Sequence, residues 1–534
     1  MMRNFIIPLL CMFAYINSNA QTHLQAENSY GGSATDNAFS IQQTKDGGFI
    51  AAGHTKSNSG QVHGNHAAGE FDFWVIKLSK TGNLQWQKCL GGEIDETAFS
   101  IQQTNDNGYI VAGEANSNRG QVTGNHGVLD FWIVKLDSSG NLLWEKSLGG
   151  SKDDFATSIQ QTKDGGYIVA GGTNSNDGDI TNHHGLTITT DYWLVKLDVN
   201  GNKQWQKNYG GTNNDFAQSV IQTKDGGYII AGNTNSKNGD VTNVHDTIYG
   251  DAWIVKTDRL GKIQWQKTYG GSDYEQANSI QQTKDGGYVA CGWTRSNDGD
   301  VKGNQGNYDF WVIKLDSSGT LKWQRSLGGS GGDLAYSIEQ TKDKGYIVAG
   351  GTTSKDGQVT GLHGTIGKED FWVVKLNASG NILWQQALGG TEFEEARSVD
   401  QTNDGGYIVA GWSGWDNPNN GDVTGNHGDY DFWIVKLSDA AHNLVMKNMA
   451  VVNNLSFTLS PNPAVTFIQL NINSDKPVAL LEVTNSRGNI ILQENISINA
   501  KQQLQVDVSK FHTGVYNVTI STANNTITKQ FIKE

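Results

Sequence analysis

The sequence predicts an all-β protein: a seven-bladed β-propeller of four-stranded antiparallel blades, then a C-terminal Ig-like β-sandwich. Three observations carry this. A Trp that follows Asp plus one other residue recurs as Trp74, Trp132, Trp193, Trp253, Trp311, Trp372 and Trp433, at intervals of 58, 61, 60, 58, 61 and 61 residues. A period of that length marks a repeat architecture. Each unit holds four short apolar or alternating runs broken by Gly, Asp and Asn, the pattern of antiparallel strands. Beyond residue 456 the period stops and the composition changes.

Residues 151–210 show the unit most clearly. Ser158–Thr162 is short and alternating, Tyr167–Ala170 is an apolar run, Tyr192–Leu197 is β-branched and aromatic, and Gln204–Tyr209 is anchored by Trp205. These are expected as strands A to D. Asp164-Gly165-Gly166 joins A to B and Asn200-Gly201 joins C to D, both tight-hairpin chemistry, because Gly and Asn tolerate positive φ. Strands B and C are apolar on both faces. One blade cannot bury both faces, but seven blades closed into a ring can.

The chain has 534 residues, a formal charge of −14 and a pI near 5.3, which excludes a simple basic nucleic-acid binder. With 16 Trp and 66 Gly it has the composition of turn-rich β structure rather than disorder. The protein is expected to be a monomer. Residues 1–20 carry Arg3, an apolar core from Phe5 to Ile16, and Ser18-Asn19-Ala20 before Gln21, which reads as a secretory signal peptide. No other stretch is long and apolar enough for a transmembrane helix. Of the three cysteines, Cys11 lies in the signal; Cys89 and Cys291 fall four blades apart, so no disulfide is expected.

The propeller is assigned to residues 21–449. Leu24–Gly32 aligns with Leu84–Gly92, a strand D without a blade of its own. At the other end, residues 442–449 occupy the strand-D place of repeat seven, with Val445 where a Trp belongs. We expect residues 23–30 to take that place and close the ring, which removes an exposed edge. Residues 450–456 read as a connector.

Two resemblances follow from particular residues. The stretch Lys135–Trp144 (LysLeuAspSerSerGlyAsnLeuLeuTrp) resembles the C–D hairpin of quinoprotein-type (PQQ-like) propellers, and its Trp recurs as Trp86, Trp144, Trp205, Trp265, Trp323 and Trp384. The resemblance implies that this Trp packs between blades. It covers the blades and not an active site. Residues 457–534 contain Ser460-Pro461-Asn462-Pro463-Ala464, Asn485-Ser486-Arg487-Gly488, Val506-Asp507-Val508-Ser509, Gly514-Val515-Tyr516 and a basic end, Thr528–Lys533. Order and spacing resemble the type A C-terminal sorting domain of the type IX secretion system, with Asn485 where that family often has Asp. The resemblance implies partnership with the type IX machinery after export to the periplasm, and passage to the surface, or release, in a Bacteroidota-type cell. A generic Ig-like module is the alternative.

The A–B and C–D turns are minimal, whereas B–C loops are long (residues 171–190), so function is expected on the face of the D–A and B–C connections. A carboxylate precedes strand A in every repeat: Asp36, Glu96, Asp154, Asp215, Glu275, Asp333 and Glu394. One reading is a cation site, Ca²⁺ by its preference for several oxygen ligands. The other is that each acid accepts hydrogen bonds at its own blade junction. His66, His126, His184, His245, His363 and His427, with Gln305 in repeat five, form a second ring in the B–C loops. Separate blades cannot bring these within about 2.1 Å of one zinc, so loop bracing is expected. The Asp before each Trp reads as a cap at the start of its strand.

Beyond the Trp residues of strands C and D, three remain: Trp293, Trp412 and Trp415, at the starts of B–C loops in repeats five and seven, where Asp416 adds a polar group. They are either a stacking platform for a sugar ring or a protein side chain, or local packing. No Gly-x-Ser-x-Gly, His-Glu-x-x-His or vicinal Cys pair is present, and no pair of acids unique to one repeat stands out. The expectation is a non-catalytic binder of glycan or protein. The alternatives are a secreted hydrolase, lyase or quinoprotein, and a purely structural surface protein.

Overall fold

The computed structural model describes residues 24–438 and 456–534, except 187, 246–247, 365–366, 415–420, 475–477, 487–488, 498–499 and 523–524. The signal peptide, the rival strand at 443–449 and most of the connector lie outside the described residues. The chain divides into two compact units, residues 1–440 and 441–534.

The first unit is seven four-stranded antiparallel sheets. In blade 3 strand A is Asp154–Gln161, B is Tyr167–Thr173, C is Asp191–Leu197 and D is Lys203–Tyr209. Strands A and B run longer than their apolar runs suggest, because polar residues at their ends still pair: Asp154 stands opposite Thr173. The N-terminal strand Leu24–Tyr30 pairs antiparallel with Tyr430–Leu437, from Leu24 opposite Leu437 to Tyr30 opposite Phe432, and completes blade 7. Trp433 donates its indole N–H to Glu27 at 2.9 Å across that pairing.

The ring closes at its axis. In each strand A a Ser hydroxyl accepts from the backbone N–H of an apolar residue in an adjacent blade, at 3.2–3.4 Å; Ile41 to Ser398 joins blade 1 to blade 7. At six junctions the strand-C Trp of one blade packs on the strand-C aromatic of the blade before it: Trp132 on Phe73, with ring centroids 4.5 Å apart, and Trp74 on Phe432, at the same distance; at the seventh, Trp311 shares a core with Ala252. All seven of these Trp residues are fully buried. Each such burial removes roughly 200 Å² from water, worth about 5 kcal/mol before entropy. That is why neither face of a blade can be left without a neighbour. Each indole N–H is satisfied by a Gln or Glu in strand D at 2.7–3.1 Å.

The repeat also buries a cation in six blades and half-buries it in the seventh, at Lys436. Lys77, Lys135, Lys196, Lys256, Lys314, Lys375 and Lys436 in strand C reach back to the Asp of the A–B hairpin at 2.9–3.1 Å. Cys89 and Cys291 are buried thiols in blades 1 and 5.

The second unit has one sheet of Ser456–Ser460, Phe467–Ser474 and Ala500–Asp507, and another of Ile490–Ser497, Val478–Asn485, Gly514–Thr522 and Asn525–Lys533. One core joins them, with Ile468, Leu470, Leu481, Val483, Val518 and Phe531 buried in it. Asn462 ties the first turn to the last strand: its side-chain oxygen accepts from Ile532 N–H at 2.8 Å and its amide donates to the Gln530 carbonyl at 3.2 Å. Ala464 is buried between them.

Candidate binding site at the central mouth

The carboxylates that start strand A point into their own junctions. Asp36 Oδ2 accepts from Gly32 N–H at 2.7 Å and from Ser57 Oγ at 2.9 Å, and Oδ1 accepts from Thr55 Oγ1. Asp154, Asp215 and Asp333 repeat the set. Glu96, Glu275 and Glu394 reach the matching Gly N–H at 2.8 Å. All seven are fully buried. Each lies beside the first Asp of strand C in the preceding blade. A Cβ on Gly91 would stand 2.4 Å from Glu96 Oε2 and 2.6 Å from Asp72 Oδ1, so only Gly lets the chain pass between the two acids. Burial pushes Asp36 up to about 6, and Glu96, Asp154, Asp215 and Asp309 up to about 7. Among the described residues no three His, Cys, Asp or Glu side chains form a cluster at metal-binding spacing.

The loop histidines brace. In six blades His Nδ1 lies 2.6–3.0 Å from the Asp that starts strand C, and that Asp also accepts the His backbone N–H. Gln305 keeps the backbone half of the arrangement. In three blades the far ring nitrogen also faces an acid of the next blade: His184 to Asp240 at 3.7 Å, His245 to Asp300 at 3.9 Å and His363 to Asp422 at 3.7 Å.

Trp293 and Trp412 are not loop residues. They are late residues of strand B, in Tyr288–Thr294 and Tyr407–Gly414, and both are half-buried. Strand B ends and strand A begins on the edge shared by the D–A and B–C connections, so these side chains stand at the central mouth. Trp293 lines a cavity of about 440 Å³ with Phe39, Phe99, Phe155, Tyr336, Glu114, Thr157, Gln218, Gln276, Asn278 and Arg397. Trp412 joins its wall through Phe39, with ring centroids 5.5 Å apart. Trp415 and Asp416 lie outside the described residues.

Arg397 organises one side of the mouth. Its guanidinium carbon lies 3.8 Å from the Tyr336 ring centre and 4.8 Å from that of Trp412, and Nη2 pairs with Glu395 at 2.7 Å. Burial pushes the Glu369 carboxyl well above the usual range, and the nearby Glu395 charge adds to it. Two blades on, past Phe39 of blade 1, burial lifts Glu114 to about 7, helped by Asp153 and Asp95. His54 is held neutral by burial, its pKa falling to about 3, and it stacks on Phe71 at 3.9 Å. Two acids from neighbouring repeats thus meet beside one arginine, an asymmetry that inspection within single repeats does not reveal.

A signal for this site was present. The second and fourth residues of strand A and the sixth of strand B are Asn37, Phe39 and His54 in blade 1; Thr97, Phe99 and Glu114 in blade 2; Gln276, Asn278 and Trp293 in blade 5; and Glu395, Arg397 and Trp412 in blade 7. Between them, the third and fifth residues of strand A are Ala and Ser in all seven repeats. The Ala packs between blades and the Ser ties the axis, so the fold holds those two and frees the positions that face the cavity.

Residues 458–534 match the family model of the secretion system C-terminal sorting domain. This is the segment with the type IX resemblance, and the chain therefore carries an export tail whose destination is the cell surface or the medium. Of its motif, Pro461, Asn462, Pro463, Ala464, Gly514 and Tyr516 are described, and Gly488 is not. Tyr516 donates to the His512 carbonyl at 2.9 Å. The regulatory protein FlaEY of Caulobacter vibrioides is 25% identical over 378 residues, 62% of this chain and 37% of that protein, so the match spans little more than a third of the relative. Among solved structures, Sqt1 from Chaetomium thermophilum covers 78% of this chain and 100% of its own at TM-score 0.37 and 10% identity. PorZ of Porphyromonas gingivalis, a bacterial surface component of the type IX secretion system, covers 97% and 88% at TM-score 0.24 and 9% identity. At such scores the likenesses carry no functional information. No helix among the described residues is long and apolar enough to cross a membrane.

Proposed function

We propose that the propeller is a non-catalytic binding module and that its ligand is a glycan held in the central mouth. One observation carries this reading: side chains that break the sevenfold repeat converge on one cavity and combine aromatic faces with amide and hydroxyl groups. A sugar ring presents apolar C–H faces and polar edges, so it needs both kinds of wall. A cavity of about 440 Å³ lies in the usual range for small-ligand sites and is too small for a folded protein partner. Repeated loops on the same face would add avidity for a polymer through multivalency. A glycan array with the intact protein tests this, with Trp293→Ala and Trp412→Ala as controls. Each substitution is expected to weaken binding about tenfold, ~1.4 kcal/mol. Unchanged binding in both rejects the platform.

A second reading, a secreted glycoside hydrolase or lyase, has one specific observation behind it. Glu114 and Glu369 are carboxyls held up by burial, and Glu395 is paired with Arg397, so acids with different environments share one mouth. Release of reducing ends from a bound glycan, abolished by Glu114→Gln, would favour it over simple binding.

A further inference from the structure

Six blade junctions share one device. A Trp from strand D of one blade meets, edge to face, the first aromatic of strand B in the next: Trp86 with Tyr109, Trp144 with Tyr167, and so on to Trp384 with Tyr407, ring centroids 5.7–5.9 Å apart. In five of the six, the same indole lies under the glycine of the next C–D turn: a Cβ on Gly140 would stand 2.9 Å from Trp86 Cζ3, and one on Gly201 2.8 Å from Trp144 Cζ3.

The seventh junction, from blade 7 to blade 1, has the same backbone without the indole. Ala26 lies opposite Lys436 as Trp86 lies opposite Lys77. The Tyr30 hydroxyl donates to the Gly82 carbonyl, as Tyr209 and Tyr269 donate to Gly261 and Gly319 at 2.5 Å. Phe49 stands where Tyr109 stands. Under the Gly82 turn the nearest group is Asn28 Nδ2, in place of a ring. What remains is a cavity of about 210 Å³ bounded by Ala26, Asn28, Tyr30, Phe49, Thr81 and Gly82, with Lys80, Lys436 and Asp404 also lining it. Ala26 and Asn28 are exposed, so the cavity opens to solvent.

We propose that this junction is a binding site for an indole group. The sibling junctions define what the space accepts: a flat bicyclic ring against an aromatic edge, its face on a glycine turn in five of the six, its stem emerging from the outer strand. A ring entering here exchanges water for the packing that holds every other junction, and it buries apolar surface on both sides. The site lies outside the central mouth, so it does not depend on the glycan reading.

The experiment counts sites on the full chain by calorimetry, with N-acetyl-tryptophanamide and indole as separate probes. Wild type is expected to bind one probe molecule. Ala26→Trp fills the space and is expected to bind none, while its melting midpoint rises by about 2 °C or more. Trp86→Ala opens an equivalent space between blades 1 and 2 and is expected to bind two. Tighter binding of the amide than of indole marks a tryptophan side chain of a polypeptide as the source; equal binding marks a free aromatic. No binding by wild type, or the same binding by Ala26→Trp, overturns the proposal. If Trp86→Ala does not fold, the comparison of wild type with Ala26→Trp decides alone.

Discussion

Gly140 shows how one residue holds two blades. Its φ is +78°, and the ring of Trp86 occupies the place a Cβ would take. Gly140→Ala meets both a left-handed backbone and a buried ring, and it is expected to cost about 1–3 kcal/mol, read as a lower denaturation midpoint. Ligand binding at the mouth should not change. Arg397 makes a different argument. Its guanidinium is flat, stacked on Tyr336 and Trp412, and paired with Glu395, so a lysine keeps the charge and loses the stacking. Arg397→Lys is expected to weaken glycan binding about tenfold with the melting midpoint within a degree or so of wild type. Retained affinity would remove Arg397 from the site. Turn glycines and the strand-D Trp residues were legible in the sequence because their roles repeat. Arg397, Glu114 and Glu369 were not, since each occurs once and part of its surroundings comes from a neighbouring blade: Tyr336 for Arg397, Asp153 for Glu114 and Glu395 for Glu369.

At the scale of elements, the N-terminal strand is the most informative. Its role was legible because Leu24–Gly32 copies a strand-D sequence that has no blade of its own. Strand ends were less legible. Trp293 and Trp412 fall outside the apolar run of strand B, and only pairing with strand C, Trp293 opposite Phe310 and Trp412 opposite Phe432, shows that the strand continues to them. Removing residues 21–30 strips Tyr430–Leu437 of its outer partner and leaves a row of unpaired backbone groups. The expected outcome is an oligomerising protein on size-exclusion chromatography with a lowered melting midpoint. Glu27→Ala is the milder test. It removes the acceptor of the Trp433 indole and of the Thr424 hydroxyl and is expected to cost about 1–2 kcal/mol. A truncated chain that stays monomeric and melts as wild type would show that another segment closes the ring.

Over the whole propeller, two rings of acids titrate in opposite senses. The hairpin acids that pair with the strand-C lysines have lowered pKa values, about 2 at Asp106, Asp225 and Asp285, through hydrogen bonds from Thr and Lys side chains and the nearby ammonium. A lowered folded pKa adds stability as pH rises to about 4, and nothing further above it. The junction acids behave oppositely. Asp36 at about 6, and Glu96, Asp154, Asp215 and Asp309 at about 7, are raised by burial from ordinary values of 3.8 for Asp and 4.5 for Glu. Their contribution is complete below about pH 4 and is lost as pH rises through 6 to 7. His184 and His363, raised by their bonds to Asp191 and Asp370, add the same sign and lose their contribution above their ordinary value of 6.5. The sum places maximal stability on the acid side, near pH 4–5, with a steady fall toward pH 8. Thermal melts at pH 4.5, 6 and 8 measure it. In Asp154→Asn, which cannot ionise, the drop between pH 6 and 8 should be shallower. A wild-type midpoint as high at pH 8 as at pH 4.5 would mean that the junction acids are not buried as drawn, and with them the tight ring of blades that places every mouth residue.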